Sequence, residues 1–177
     1  SYEFNVYFSE SVLTRIHYLI SVDPRTAHSP ELKQVESRIR ELTRSWPDEL
    51  SHLLQDHHGD GEGLALADEW AESFPTAFRE DFSPAEGLDH LVHITKADTE
   101  AQLEIALQQP PGYAAHEAQL RLYSPESAVV LSDVLPVIEN LGLHVLTENP
   151  FRIQSTSGRT VFLHIFDLAD HDQRDIE

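Results

Sequence analysis

The stretch Arg159-Thr160-Val161-Phe162-Leu163-His164-Ile165-Phe166-Asp167-Leu168 decides the fold. Side chains alternate along a strand, so Val161, Leu163 and Ile165 face one way and Phe162, His164 and Phe166 the other. Both rows are largely apolar, which predicts a strand that is central or covered on both faces. Leu143 to Ile153 reads as a preceding strand, joined to it around the turn residues Ser155-Thr156-Ser157-Gly158. Upstream again, Val134, Leu135, Ile138 and Leu141 recur at helical spacing. Ser132 is the expected cap of this helix, Pro136 lies near its first turn, and Gly142 is the expected left-handed residue after its end. Before it, Leu103, Ile105 and Leu107 alternate, Pro110-Pro111-Gly112 turns the chain, and Leu120 and Leu122 alternate again. The expected buried face joins Leu103, Ile105, Leu120, Leu122, Val145, Val161, Leu163 and Ile165 to the apolar side of the helix.

The first hundred residues supply one more strand pair and several helices. Phe4-Asn5-Val6-Tyr7-Phe8 is aromatic and β-branched, Ser9-Glu10-Ser11 can turn, and Leu13 to Val22 alternates loosely. A hairpin is the preferred reading there, with a helix over Leu13–Ile20 as the rival. Ser29-Pro30-Glu31 opens a helix whose stripe is Leu32, Val35, Ile39, Leu42 and Trp46. Ser45-Trp46-Pro47-Asp48 is a second cap, ahead of Leu50, Leu53 and Leu54. His57-His58-Gly59-Asp60-Gly61-Glu62-Gly63 reads as a loop, after which Leu64, Ala67, Trp70, Ala71 and Phe74 resume helical spacing up to Pro75. Ser83-Pro84-Ala85-Glu86 is a capping box, with Leu88, Leu91 and Val92 as the buried side of the helix it opens.

Short connections between the later strands favour antiparallel pairing. The predicted class is α+β: a mainly antiparallel sheet with helices on one face and a helical insertion. The reading takes residues 1–177 as one domain, with the sheet from about 4–22 and 99–168, the insertion at about 29–75 and a helix at 83–96.

With 12 Lys and Arg against 31 Asp and Glu, the net charge is −19. That field disfavours nucleic acid and anionic membrane surfaces as partners. Forty per cent hydrophobic residues is too many for a solvated acidic tail. Cysteine is absent, which removes disulfides, thiolate metal sites and a cysteine nucleophile, and fits a reducing, cytoplasmic setting. Methionine is absent too and the first residue is Ser1, so the chain reads as a piece of a longer polypeptide. No apolar run reaches the roughly 20 residues that span a bilayer.

No constellation spells out a chemistry. His52, Asp56, His57, His58 and Asp60 are the densest set of metal-ligand types, with His52 and Asp56 one helical turn apart. Their place at a helix end beside a Gly-rich loop makes them solvated groups rather than a metal site. Glu80-Asp81 and Asp68-Glu69 are sequence neighbours and cannot face each other as a catalytic pair. Gly59, Gly61 and Gly63 match no phosphate-binding loop, and no Gly-x-Ser-x-Gly occurs. Trp46 and Trp70 fall at stripe positions and read as packing residues. No catalytic, cofactor-binding or metal residue is predicted.

Four stretches together go further: Phe4 to Tyr18, Leu42-Thr43-Arg44-Ser45-Trp46-Pro47-Asp48-Glu49-Leu50, Phe78-Arg79-Glu80-Asp81-Phe82-Ser83-Pro84, and Leu131 to Val145. In this order they resemble the N-terminal half of the very large bacterial NAD-specific glutamate dehydrogenases, from about Phe4 to Leu168. The resemblance implies an ACT-like (ferredoxin-like) regulatory domain carrying a helical insertion, ahead of a separate catalytic domain. It implies a parent enzyme that oxidatively deaminates L-glutamate to 2-oxoglutarate and ammonia with NAD. The catalytic lysines and dinucleotide fold of that family match nothing here, and the two lysines, Lys33 and Lys96, carry no such motif. The leading expectation is therefore a non-catalytic regulatory or assembly segment, whose partners are other domains and subunits of the same enzyme. An amino-acid-sensing ACT-type module is the second reading, although the loop Ser124 to Leu131 lacks the Gly that effector-binding ACT domains carry. An independent metal-dependent enzyme is the third.

Overall fold

The computed structural model describes residues 2–7, 15–20, 33, 35, 38, 39 and 44–176. The chain divides into two compact units, Ser1–Thr43 and Arg44–Glu177. In the first, β1 (Tyr2–Tyr7) pairs antiparallel with β2 (Arg15–Ile20), with Phe4 opposite Tyr18. The hairpin reading holds over the helical rival; its turn at Ser9-Glu10-Ser11 lies outside the described residues, as does the cap at Ser29-Pro30. Lys33, Val35, Arg38 and Ile39 are helical.

The second unit opens with three helices: α1 (Trp46–Trp70), α2 (Thr76–Asp81) and α3 (Pro84–Glu100). Both capping boxes form. Ser45 accepts from the Asp48 amide while Asp48 reaches back to Ser45, and Ser83 and Glu86 do the same for α3. The expected loop at 57–63 is instead a break within α1. Gly59 alone leaves helical geometry, at φ +80, and the helix resumes at once. Gly63 then lies so close to the first limb that a β-carbon on it would come 2.4 Å from the Leu54 carbonyl oxygen. In a continuous helix residues nine apart are about 13 Å apart along the axis, so the two limbs fold back on each other.

The sheet follows: β3 (Glu104–Gln108), β4 (Glu117–Pro125), β5 (Leu143–Gln154) and β6 (Thr160–Asp170), in the spatial order β3-β4-β6-β5 and antiparallel throughout. Helix α4 (Leu131–Asn140) connects β4 to β5. These two strands flank β6 and both run antiparallel to it, so β4-α4-β5 is a crossover with β6 placed between its strands. The sequence reading drew one sheet from residues 4–22 and 99–168; the hydrogen-bonded strands form a pair and a separate sheet of four. The structure is α+β with an antiparallel sheet and helices, as expected. Helices α1–α3 share one face of the sheet, and α4 covers the other.

The double-sided apolar pattern of β6 is the reason. Val161, Leu163 and Ile165 join Tyr123, Phe151 and Ile153 in a core with Leu50, Trp70, Phe74, Phe78, Leu91 and Ile94 of the helical segment. Phe166 and Leu168 join Leu122 and Ile138 of α4 in a second core, with Leu120, Val134, Leu135, Leu143 and Val145 against it. The expected single buried face therefore splits. Register places Tyr123 opposite Leu163, and Leu122 opposite His164, so Leu120 and Leu122 lie on the α4 face and Leu163 on the other. Leu103, Ile105 and Leu141 are exposed rather than buried as expected, and Leu107 is exposed beside them. Ile105 and Leu107 stand opposite Leu122 and Leu120 on the α4 face, at the edge of the sheet. Helix α4 is capped at Val130, not Ser132, which puts Pro136 inside it; Gly142 takes the left-handed conformation expected, at φ +80.

Candidate functional site

The most unusual chemistry lies where α3 meets β4. His90 and Tyr123 are both fully buried, and the Tyr123 hydroxyl lies 2.9 Å from His90 Nδ1. Nε2 of the same ring is the one buried side-chain nitrogen or oxygen without a hydrogen-bond partner among the described residues. The ring stands edge-on to Phe78 and Phe82, each with centroids 5.1 Å away. In these apolar surroundings the 2.9 Å contact fits a neutral ring with Tyr123 donating to Nδ1. Burial, then the Arg121 charge and then His93, pushes His90 down to about 3. Burial pushes the Tyr123 phenol up. Neither group changes charge near neutral pH, so the pair is a packing element rather than an acid–base couple.

Around it the polar groups are paired. His93 stacks on Tyr123 at 5.1 Å and meets Glu104 at 3.1 Å, and Lys96 reaches the other Glu104 oxygen at 2.8 Å. Those two hydrogen bonds, Lys96 first, hold the Glu104 carboxyl below its ordinary value. On the same sheet face Arg121 donates to Gln119, and Gln119 and Tyr113 donate to Asp167, as does Thr147. Burial would raise the Asp167 carboxyl, but these three donors outweigh it and hold it low. No lone nucleophile or paired-carboxylate arrangement emerges from this network.

The sequence candidates are dispersed. His52 pairs with Asp56 at 3.0 Å, one turn along the first limb of α1, and His58 meets Glu62 at 3.8 Å across the break at Gly59. Among the described residues no group of three or more His, Asp or Glu is arranged to hold a metal ion. Glu69 is taken by Arg159 and Ser157, and Arg159 also reaches Asp98 and lies over the Trp70 ring. Trp46 donates to the Phe82 carbonyl at 2.8 Å and packs on Phe74, while Trp70 is 1% exposed; both are packing residues. In the Ser124–Leu131 loop Glu126, not a glycine, takes the positive φ of 66°. On α3 the buried side is Gly87, His90, Leu91, Ile94 and Ala97, whereas Val92 is 54% exposed. Sequence reasoning missed His90, although its spacing to Gly87, Ile94 and Ala97 carried the signal. No membrane-crossing helix occurs among the described residues.

A four-stranded antiparallel sheet sharing a core with a capped helical segment defines an ACT-like unit joined to a helical motif. Family comparison gives the same division. Residues 102–177 match the ACT3 domain of glutamate dehydrogenase, residues 53–94 its helical motif 2, and residues 1–47 its ACT2 domain. The NAD-specific glutamate dehydrogenase of Pseudomonas aeruginosa is 31% identical over 175 residues, 99% of this chain and 11% of that protein. That of Halomonas elongata is 32% identical over 169 residues, 96% of this chain and 10% of that protein. That of Mycobacterium tuberculosis is 26% identical over 182 residues, 96% of this chain and 11% of that protein. The chain belongs to the large NAD-specific glutamate dehydrogenase family, and it spans about a tenth of the length of these relatives.

Proposed function

We propose that this chain is a non-catalytic regulatory and assembly segment of a large polypeptide that oxidises L-glutamate to 2-oxoglutarate and ammonia with NAD. The relatives' printed activity supports the parent reaction, and the NAD requirement attaches to the parent alone. Within the segment, Arg44–Glu177 acts as one body, because α1–α3 and the sheet share a core.

The observation that carries the assembly role is the unfinished α4 side. Ile105 is 57% exposed and Leu107 52% on edge strand β3, while Val137 on α4 is 59% exposed and Leu141, just past its end, 70%. A monomer scatters such residues; one sheet side that holds this many awaits a partner surface. Other domains or subunits of the same enzyme are the partners this reading assigns, in a cytoplasmic enzyme.

The test uses the full polypeptide that carries this segment, with Ile105→Lys and Leu107→Lys together. The reading expects a smaller assembly by light scattering, with the α1–α3 core intact by circular dichroism. An unchanged mass would remove the assembly role.

A further inference from the structure

A second open surface lies on the opposite side of the unit, away from α4. The limbs of α1 and one side of α3 enclose a groove of about 440 Å³. Leu54 and Leu91 form its floor, Leu66 and Leu88 its walls, and Val92 stands exposed at its lip. The α3 residues that line it run from Leu88 to Glu100, which at 1.5 Å per residue is about 18 Å, or three turns of a second helix laid alongside. The fold-back at Gly59, with Gly63 against the Leu54 backbone, holds the walls apart at a fixed spacing.

The rim is acidic. Glu62 and Glu100 are exposed at the edge. Lys96, the one Lys or Arg among the described residues that line the groove, is taken by Glu104 at 2.8 Å, so it does not offset them. His58 leans toward Glu62 at 3.8 Å. The charge of −19 over the whole chain extends the same sign outward.

We propose that this groove receives an amphipathic helix whose aliphatic stripe fills the Leu54–Leu91 floor and whose flanks carry Lys or Arg opposite Glu62 and Glu100. Elongated apolar grooves between helices bind such helices through anchors at i, i+3, i+4 and i+7. The aliphatic contacts supply the affinity, and the acidic rim sets orientation and selects against acidic helices.

The absence of cysteine makes the test direct, because Thr99→Cys gives one labelling site at the rim. The labelled protein is titrated with three synthetic peptides of about 14 residues, long enough for the groove. One has a Leu stripe with Lys flanks, one the same stripe with Glu flanks, and one Ser in place of Leu with Lys flanks. The proposal expects the Leu/Lys peptide to bind at least about tenfold more tightly than either other peptide. Val92→Arg, an exposed position whose change leaves the melting temperature in place, lowers that affinity by about tenfold or more, while Ile105→Lys on the far side leaves it unchanged. No binding of the Leu/Lys peptide, equal binding of the Ser/Lys peptide, or binding indifferent to Val92→Arg overturns the proposal. None of these results depends on the enzyme to which the segment belongs.

Discussion

His90 and Tyr123 meet at 2.9 Å in the interior, 33 residues apart in sequence, and lock α3 onto β4. One is a base that burial keeps neutral, the other an acid that burial keeps protonated. Their hydrogen bond lets two polar rings sit in an aromatic core at little cost.

The first prediction is a pH dependence. The folded-state value of His90, about 3, lies below the ordinary 6.5, so the unfolded chain binds a proton that the folded chain refuses. The contribution is intact above pH 6.5 and is lost as pH falls from there toward 3, at up to about 1.4 kcal/mol per pH unit. Urea titrations of the protein and of His90→Gln between pH 7.5 and 5 isolate it. The parent should lose about 2 kcal/mol more than the variant by pH 5. Parallel profiles would mean that His90 is not held neutral by the fold.

Removal of the hydroxyl alone should also register. Tyr123→Phe leaves His90 Nδ1 without a donor and is expected to cost about 1–3 kcal/mol. The same change in the His90→Gln background should cost clearly less, which a double-mutant cycle reads directly.

Two neighbouring glycines should respond in opposite directions. Gly63→Ala drives a methyl into the Leu54 backbone and is expected to destabilise by about 1–3 kcal/mol. Gly61 has nothing within 4 Å of an added β-carbon, so Gly61→Ala should be neutral or stabilise by up to about 1 kcal/mol through helix propensity. Melting temperatures of the two variants settle the pair; a drop at Gly61 equal to that at Gly63 would contradict the fold-back of α1.

Leu163 and Leu107 form another contrast. Leu163→Ala empties a fully buried site and should cost about 2–5 kcal/mol. Leu107 is 52% exposed at the sheet edge, and Leu107→Ala should change stability by less than about 0.5 kcal/mol in the isolated unit.

Much of this architecture could be read from local chemistry. The Ser45 and Ser83 capping boxes, the hairpin of β1 and β2, the left-handed Gly142 and the double-sided β6 all depend on a few consecutive residues. What escaped depends on distant partners. Whether Leu122 or Tyr123 shares the Leu163 face is a matter of register, and a one-residue shift exchanges the two cores. Val92 looks more buriable than His90, but His90 has Tyr123 to bond and Val92 faces the open groove. Three glycines in five residues, Gly59, Gly61 and Gly63, suggest a loop, whereas only Gly59 uses a positive φ and Gly63 serves close packing.

The central claim is that this segment serves a glutamate dehydrogenase without performing its chemistry. The most direct measurement is absorbance at the NADH wavelength when the purified chain is incubated with L-glutamate and NAD, beside a heat-denatured control. The account predicts no glutamate-dependent NADH above that control. Steady NADH formation that requires both glutamate and the folded chain would contradict it.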